Sequence, residues 1–433
     1  MTEEYLKESR SQKNGVLKTC IALIGFFAFT SVTIISSNFF YSALFLFLLF
    51  GTAVTIRSAT FDRNLNFFII FFLTPFFVGL LGYIFSFSLE SERFDYSELN
   101  FIGRFLNLFT FYLTILFIHK ATKKVNPFLV FKWYQIGIFI LLLTALWHAI
   151  SLYTGLLGWP FETRSHLHST YGESYSIATR VTGIAREPSF LVMYIVDFIA
   201  LCFIFYSGLK RNALILFACI LMLLSLSPSG YVVLMASFTL AYSVSRLKRF
   251  NTKSIVRFVL FVTAVAFIFI YLHASNNQFL DYFFSRISNV DASNSGRLYM
   301  LLAPFEWIQE SNPFSILFGH GLKSYSIIGT YYSLPNGDPI HVTSNNLYID
   351  VLWESGLIGL LTLIIYFLYI FIKICSLKVS PSKSFIVLFI FFDVLLSAFF
   401  RADYASFRFF IMLYLLYLLV NYNFYEPRKE CTK

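Results

Sequence analysis

Charge is scarce in this 433-residue chain: Asp, Glu, Lys and Arg make up 13% of it, about half the share that a soluble domain carries. Cysteine is scarce as well. Cys20, Cys202, Cys219, Cys375 and Cys431 lie in apolar runs or at the C-terminal tail and the long polar stretches have none, so neither a disulfide framework nor a Cys-based metal site is implied. Internal repeats and low-complexity tracts are lacking too, apart from a general richness in Phe. What is abundant is apolar: 58% of the residues are hydrophobic and 20% aromatic. That balance excludes a soluble enzyme with one anchor, and it excludes disordered, collagen-like and disulfide-built chains. The net charge of +10 invites a nucleic-acid reading. However, the Lys and Arg residues form short clusters between apolar runs rather than a basic domain, so no nucleic-acid partner is expected.

Runs long enough to cross a bilayer, roughly 18 or more apolar residues, fall near residues 19–37, 39–56, 67–88, 102–119, 130–152, 189–207, 212–227, 229–245, 257–272, 346–371, 385–400 and 406–421. The chain therefore reads as one all-α polytopic transmembrane domain, residues 1–433, of about twelve helices. The first run is too long for a signal-peptide core and reads as a retained span. Placing both termini in the cytoplasm puts most of the Lys and Arg inside, as the positive-inside rule requires, and puts the acidic stretch Glu90, Glu92, Asp95 and Glu98 outside. On this topology two outer segments are enlarged, 153–188 and 273–345, and long loops in compact proteins tend to carry function. In the second loop Phe279, Leu280, Phe283, Phe284 and Ile287 recur at helical spacing, and Leu298 to Ile308 is a further apolar stretch; both suggest helices lying in the outer interface.

The first outer loop closes on Arg180-Val-Thr-Gly183-Ile-Ala-Arg186-Glu187-Pro188-Ser189, directly before a span. A guanidinium is permanently charged and grips phosphate oxygens two at a time, and the first turn of the following helix adds partial positive charge. This segment therefore suits a phosphorylated group arriving from the lipid. The plainer alternative is an interfacial ion pair between Arg186 and Glu187. The second loop offers Arg297, Lys323 and, near its end, His341. A span then begins in which Asn346, Asp350 and Glu354 follow at i, i+4 and i+8. Those three share a helix face and would turn into the bundle, since an ionisable group facing lipid costs about 2.5 to 3.5 kcal/mol. A histidine at the mouth of such a face suits a general base or hydrogen-bond donor, although a lone loop histidine often has no special role.

Three patterns in this order resemble the O-antigen polymerase and O-antigen ligase family of bacterial envelope proteins. They are Arg180-x2-Gly183-x2-Arg186-Glu187-Pro188, then Arg297-x9-Trp307-x5-Pro313-x5-Gly319-x-Gly321, then His341-x4-Asn346-x-Tyr348 with Glu354-Ser355-Gly356-Leu357-Ile358-Gly359. The resemblance implies a bacterial inner-membrane protein whose donor is an undecaprenyl-diphosphate-linked oligosaccharide. It implies that Arg186 and Arg297, with Arg180 beside them, hold the diphosphate, and that His341 assists the acceptor. Family members often carry an arginine after a serine in the outer turn of a span hairpin. Here that turn reads Ser227-Pro228-Ser229-Gly230, so either another cation such as Arg286 or Lys323 serves, or fewer phosphate contacts are made.

The expected reaction is a metal-independent and cofactor-independent glycosyl transfer that polymerises repeat units for O-antigen, capsule or exopolysaccharide. Diphosphate-binding arginines would stabilise the leaving group. His341, or Glu187 in second place, would take the proton of the attacking hydroxyl. Asn346, Asp350, Glu354 and Lys323 would support the site. No Asp-x-Asp pair occurs in the outer loops, so no metal is expected. The surrounding membrane lipid and a chain-length regulator protein complete the expected partners. A ligase passing glycan to a lipid A core is the nearest alternative. A lipid-linked glycan flippase or other secondary transporter is the second, kept open by Asp197 and Asp393 within spans.

Overall fold

The structure, a computed structural model, describes residues 15, 17–33, 62–90, 101–122, 126–161, 180–247, 304–325, 344, 346–401 and 406–421. Helices run through nearly all of these. In chain order they are α1 (Leu17–Thr30), α2 (Arg63–Glu90), α3 (Phe101–Thr122), α4 (Leu129–Thr154), α5 (Pro188–Phe205), α6 (Gly208–Leu224), α7 (Pro228–Leu247), the short α8 (Pro313–Phe318), α9 (Leu347–Ser376), α10 (Pro381–Phe400) and α11 (Phe407–Asn421). Residues 304–309 add a short helical turn. Six helices are long and apolar enough to cross a membrane among the described residues, namely those within α2, α3, α4, α5, α9 and α10. An all-helical, multi-pass membrane protein is what the composition dictates: in hydrocarbon every backbone amide needs a partner within its own segment, and only a helix or a closed barrel supplies that. The expected spans at 39–56 and 257–272 lie outside the described residues, as does the apolar helical pattern around Phe283.

Helix starts follow the local chemistry. Pro188, Pro313 and Pro381 each stand at the first turn of their helices, where the missing N–H goes unneeded and the fixed φ is already helical. Asn312 and Asn346 cap α8 and α9, their side-chain oxygens accepting from Phe314 N and from Tyr348 N and Ile349 N. At its other end α4 stops at Gly155, which takes a left-handed conformation (φ +70°) and donates its N–H to Ser151 O.

The described residues cluster into two compact units, one of residues 1–61, 110–235 and 406–415, the other of residues 62–109, 236–405 and 416–433. In the first unit α4 packs against α1, α5 and α6. A Cβ on Gly25 would meet the Val130 backbone and one on Gly137 the Phe26 backbone, so α1 and α4 touch main chain to main chain. Close approach through small residues is how helices associate in lipid, where burying apolar surface gains little. The middle of α5 is buried without interruption from Leu191 to Cys202. Asp197 there is fully enclosed and binds Arg408 of α11 through two 2.8 Å contacts, Nε to Oδ2 and Nη2 to Oδ1, while Tyr134 Oη of α4 donates to Oδ2 at 2.6 Å.

The second unit is built on α2 and α9, with α8 wedged against both. The sequence reads 346–371 as one continuous span, whereas α9 is broken at Gly356 (φ 64°, ψ −168°), a conformation open to glycine and little else. The break has a physical cause. Gly319 and His320 follow the end of α8 and press against α9 where its backbone is interrupted. His320 N donates to Trp353 O at 2.9 Å and Gly321 N to Glu354 O at 3.0 Å, so carbonyls left without helical partners are met by the loop. A Cβ on Gly356 would collide with the Leu317 backbone, and one on Gly319 with the backbone of Glu354 and Ser355. In the apolar stretch ending at Ile308, residues 304–309 are helical as expected, with Trp307 and Ile308 buried and Phe305 exposed; residues 298–303 lie outside the described residues. The segment 304–325 is thus packed structure within a stretch that the sequence reads as loop.

Candidate functional site

In the first unit, residues 180–187 form a strap across one end of the bundle, the end where α4 and α6 finish and α5 and α7 begin. The strap is tied first to the end of α6, then to α4, and last to the segment beyond α1. Val181 N donates to Leu224 O at 3.2 Å and Arg180 Nε to Ser225 O at 3.2 Å, both at the end of α6. Thr182 N and Gly183 N both point at Nδ1 of His148 in α4, at 3.1 and 3.2 Å. Two backbone donors aimed at one ring nitrogen require it to accept, which places the imidazole proton on Nε2. Ile184 N donates to Thr144 Oγ1 at 3.3 Å. Ala185 pairs with Thr33 in an antiparallel bridge beyond α1. Gly183 (φ +58°) lies so near α4 that a Cβ would come within 2.8 Å of Ala145 N. The strap's backbone is thereby enclosed: Val181 to Ala185 are all buried.

The side chains at the two ends of the strap differ from that enclosed middle. Arg186 is exposed, with Nε donating to Thr33 O at 3.2 Å. Glu187 is half-buried and occupies the position before α5, where its carbonyl receives Phe190 N at 3.1 Å and its Oε2 receives Ser189 Oγ at 3.3 Å. Arg180 is half-buried beside the turn between α6 and α7, Ser227-Pro228-Ser229-Gly230, its Nε donating to Ser225 O. In that turn Ser227 and Ser229 hydroxyls lie 3.1 Å apart, and Tyr231 Oη donates to the Met222 and Leu223 carbonyls at 3.0 Å. Two guanidinium groups, a helix N-terminus at Pro188 and another at Pro228 therefore belong to one end of this unit. The arrangement suits a group carrying several negative oxygens.

In the second unit Asn346, Asp350 and Glu354 are all buried, as their shared face predicts. Two of them have evident local tasks. Asn346 caps α9, and Asp350 Oδ1 receives both the N–H (2.9 Å) and the hydroxyl of Ser344. Glu354 stands two residues before the break, where its carbonyl takes the Gly321 N–H. Lys323 lies in the turn after Gly321 with a left-handed backbone (φ 65°). Arg297 and His341 lie outside the described residues.

Several residues that shape these ends carry little sequence signal. His148 reads as one more polar residue in an apolar run, and its contacts with Thr182 and Gly183 of the strap reveal its task. Arg408 lies in a Phe-rich sequence at a helix start, where a charge ordinarily snorkels, yet it is buried against Asp197. His320 stacks on Trp353 with centroids 4.1 Å apart and meets Ser311 Oγ at 3.0 Å. A Gly-His-Gly string gives no hint of that packing.

A multi-pass membrane bundle that gathers arginines at one end of its helices is the class these features define. Within it, residues 213–364 match the O-antigen ligase family. The match bears out the resemblance to O-antigen polymerases and ligases, a family of glycosyltransferase-like enzymes. It includes Arg297, His341 and the Glu354 to Gly359 pattern, and it begins after the Arg180–Glu187 strap. No curated protein matches the chain.

Proposed function

We propose that the chain polymerises lipid-linked oligosaccharide repeat units at the outer face of the bacterial inner membrane. The observation that carries this reading is the strap: a segment with arginines at both ends is held by hydrogen bonds to α4 and α6 and by a bridge beyond α1, which leaves Arg186 exposed at the start of α5. A rigid backbone with an exposed cation is preorganised for anionic charge.

In the proposed reaction a hydroxyl oxygen of one lipid-linked unit attacks the anomeric carbon of another. The bond from that carbon to the undecaprenyl diphosphate breaks, and the electron pair leaves with the diphosphate. Arg186, Arg297 and Arg180 stabilise the departing charge, and His341, or else Glu187, takes the hydroxyl proton. Neither a metal nor a cofactor enters the scheme. Removing one donor that acts on developing charge typically lowers turnover by about 10²- to 10³-fold, so Arg186→Ala should abolish long polymer at normal protein level.

The readout separates the proposal from its neighbours in strains that make O-antigen. A failed polymerase leaves lipid A core capped by a single repeat, which runs as one added band on a lipopolysaccharide gel. A failed ligase leaves bare core and strands polymer on the carrier lipid. A failed flippase leaves bare core with no polymer on either carrier. Undiminished long polymer from Arg186→Ala would overturn the role given to that residue.

A further inference from the structure

Four aromatic groups gather where α4 ends. The His148 ring stacks on the Trp159 indole with centroids 4.6 Å apart and planes 11° from parallel. Trp147 meets Trp159 edge-on at 5.3 Å, and Phe161 meets both indoles, at 5.1 Å from Trp159 and 6.3 Å from Trp147. The turn 155–161 that carries two of these rings is pinned in place, because Trp147 Nε1 donates to Leu157 O at 2.9 Å and Leu157 holds a left-handed backbone (φ 55°). Trp159 differs from Trp147 in one respect: its Nε1 is enclosed and has no acceptor among the described residues. A buried indole N–H nearly always finds a partner.

From this cluster we infer a carbohydrate subsite, with Trp159 as its principal contact, for a sugar of the oligosaccharide that the proposed reaction transfers. The inference rests on that reading for the identity of the glycan. The pattern of C–H bonds on one face of a pyranose suits the electron-rich face of an aromatic ring, and the ring hydroxyls supply the acceptor that the Trp159 N–H lacks. Position adds a second reason. His148 touches Trp159 with its ring face and the strap with its Nδ1, so aromatic cluster and arginine-bearing strap are braced by one side chain. A donor whose diphosphate lies at Arg186 has its first sugars bonded directly to that diphosphate, and a platform on the same bundle end is where they would extend. A bilayer interface also attracts Trp and Tyr, and Tyr153, Leu156 and Leu157 nearby are exposed. A belt residue, however, directs its N–H to water or lipid headgroups, whereas the Trp159 N–H is enclosed.

The test uses the full chain in lipid nanodiscs and, as probe, the repeat-unit oligosaccharide freed from its lipid and diphosphate by mild acid, with binding followed by calorimetry. Saturable binding is expected for the unaltered protein. Trp159→Phe keeps a ring and loses the donor, and should weaken binding about three- to tenfold; Trp159→Ala should remove it. Thermal unfolding of each variant controls for folding, and Trp159→Phe serves if the alanine form does not assemble. Absence of binding by the unaltered protein, or equal affinity in well-folded Trp159→Phe and Trp159→Ala, overturns the subsite. If polymer formation still depends on Arg186 in that event, the proposed reaction survives without it. Conversely, Trp159-dependent binding together with undiminished polymer in Arg186→Ala leaves the subsite standing and removes the role of Arg186.

Discussion

At the scale of single residues the largest energetic commitment is the pair formed by Asp197 and Arg408. Both are enclosed, the carboxylate by α5 and the guanidinium by α11, and the Tyr134 hydroxyl supplies a third donor. Enclosed charges are costly to create, and the attraction between them offsets that cost only while both are present. Removing one partner strands the other, which typically costs about 3 to 5 kcal/mol. Asp197→Asn and Arg408→Leu should each lower the midpoint of heat-induced unfolding in detergent. The double variant Asp197→Asn with Arg408→Leu should recover much of the loss, because no unpaired charge remains. A double variant as unstable as the worse single one would count against the pair as the cause. The pairing also supplies a task for Asp197 other than carrying an ion or substrate. That residue was conspicuous in the sequence because a carboxylate in an apolar run always is. Its partner was not, since Arg408 is 211 residues away and its neighbours suggest an ordinary charged helix end. Sequence locates a buried charge more readily than the group that answers it.

At the scale of elements the break in α9 defines the second unit. Asn346, Asp350 and Glu354 could be read as an inward face, and they are buried as that reading requires. The interruption at Gly356 could not be read, because glycine within an apolar run is often tolerated by a straight helix. What bends this one lies in another part of the chain: the tip of α8, whose Leu317 and Gly319 backbones occupy the space that a Cβ at 356 would need. The pattern Gly319-x-Gly321 and the pattern Glu354 to Gly359 are thus two halves of one contact, and their joint presence in the family resemblance has a steric reason. Gly356→Ala combines a backbone conformation unsuited to alanine with a main-chain collision. Strain of the first kind alone costs about 1 to 3 kcal/mol. Gly319→Ala faces the same two obstacles from the opposite side (φ +84°). Both should reduce the amount of folded protein recovered from membranes, as judged by fluorescence-detected gel filtration. Gly158→Ala, with nothing within 4 Å of its added Cβ, should leave recovery unchanged. Normal yields of the first two variants would show that the loop and α9 part readily, contrary to the packing described.

For the whole molecule, orientation in the membrane is the property on which the proposed chemistry depends, since a lipid-linked glycan can meet the strap only if the strap faces outward. Charge supplies the argument. Lys210 and Arg211 lie at the start of α6, Arg246 near the end of α7, and Lys373, Lys378 and Lys383 around the link from α9 to α10; each is at the opposite helix end from the turn or loop assigned to the outside. Cationic ends are retained in the cytoplasm, and the bias is read over short links such as these. On that rule Gly158, in the exposed turn after α4, is expected outside and Lys378, between α9 and α10, inside. In a background with the five native cysteines replaced, Gly158→Cys should react with a membrane-impermeant maleimide in intact spheroplasts. Lys378→Cys should react only after the membrane is opened. The reverse pattern would place Arg180, Arg186 and the Trp159 cluster in the cytoplasm, where translocated lipid-linked repeat units are not presented, and the polymerase reading would fall with them. Labelling as expected would put the cationic strap where its proposed donor arrives, and only then would the loss of polymer in Arg186→Ala report on leaving-group stabilisation.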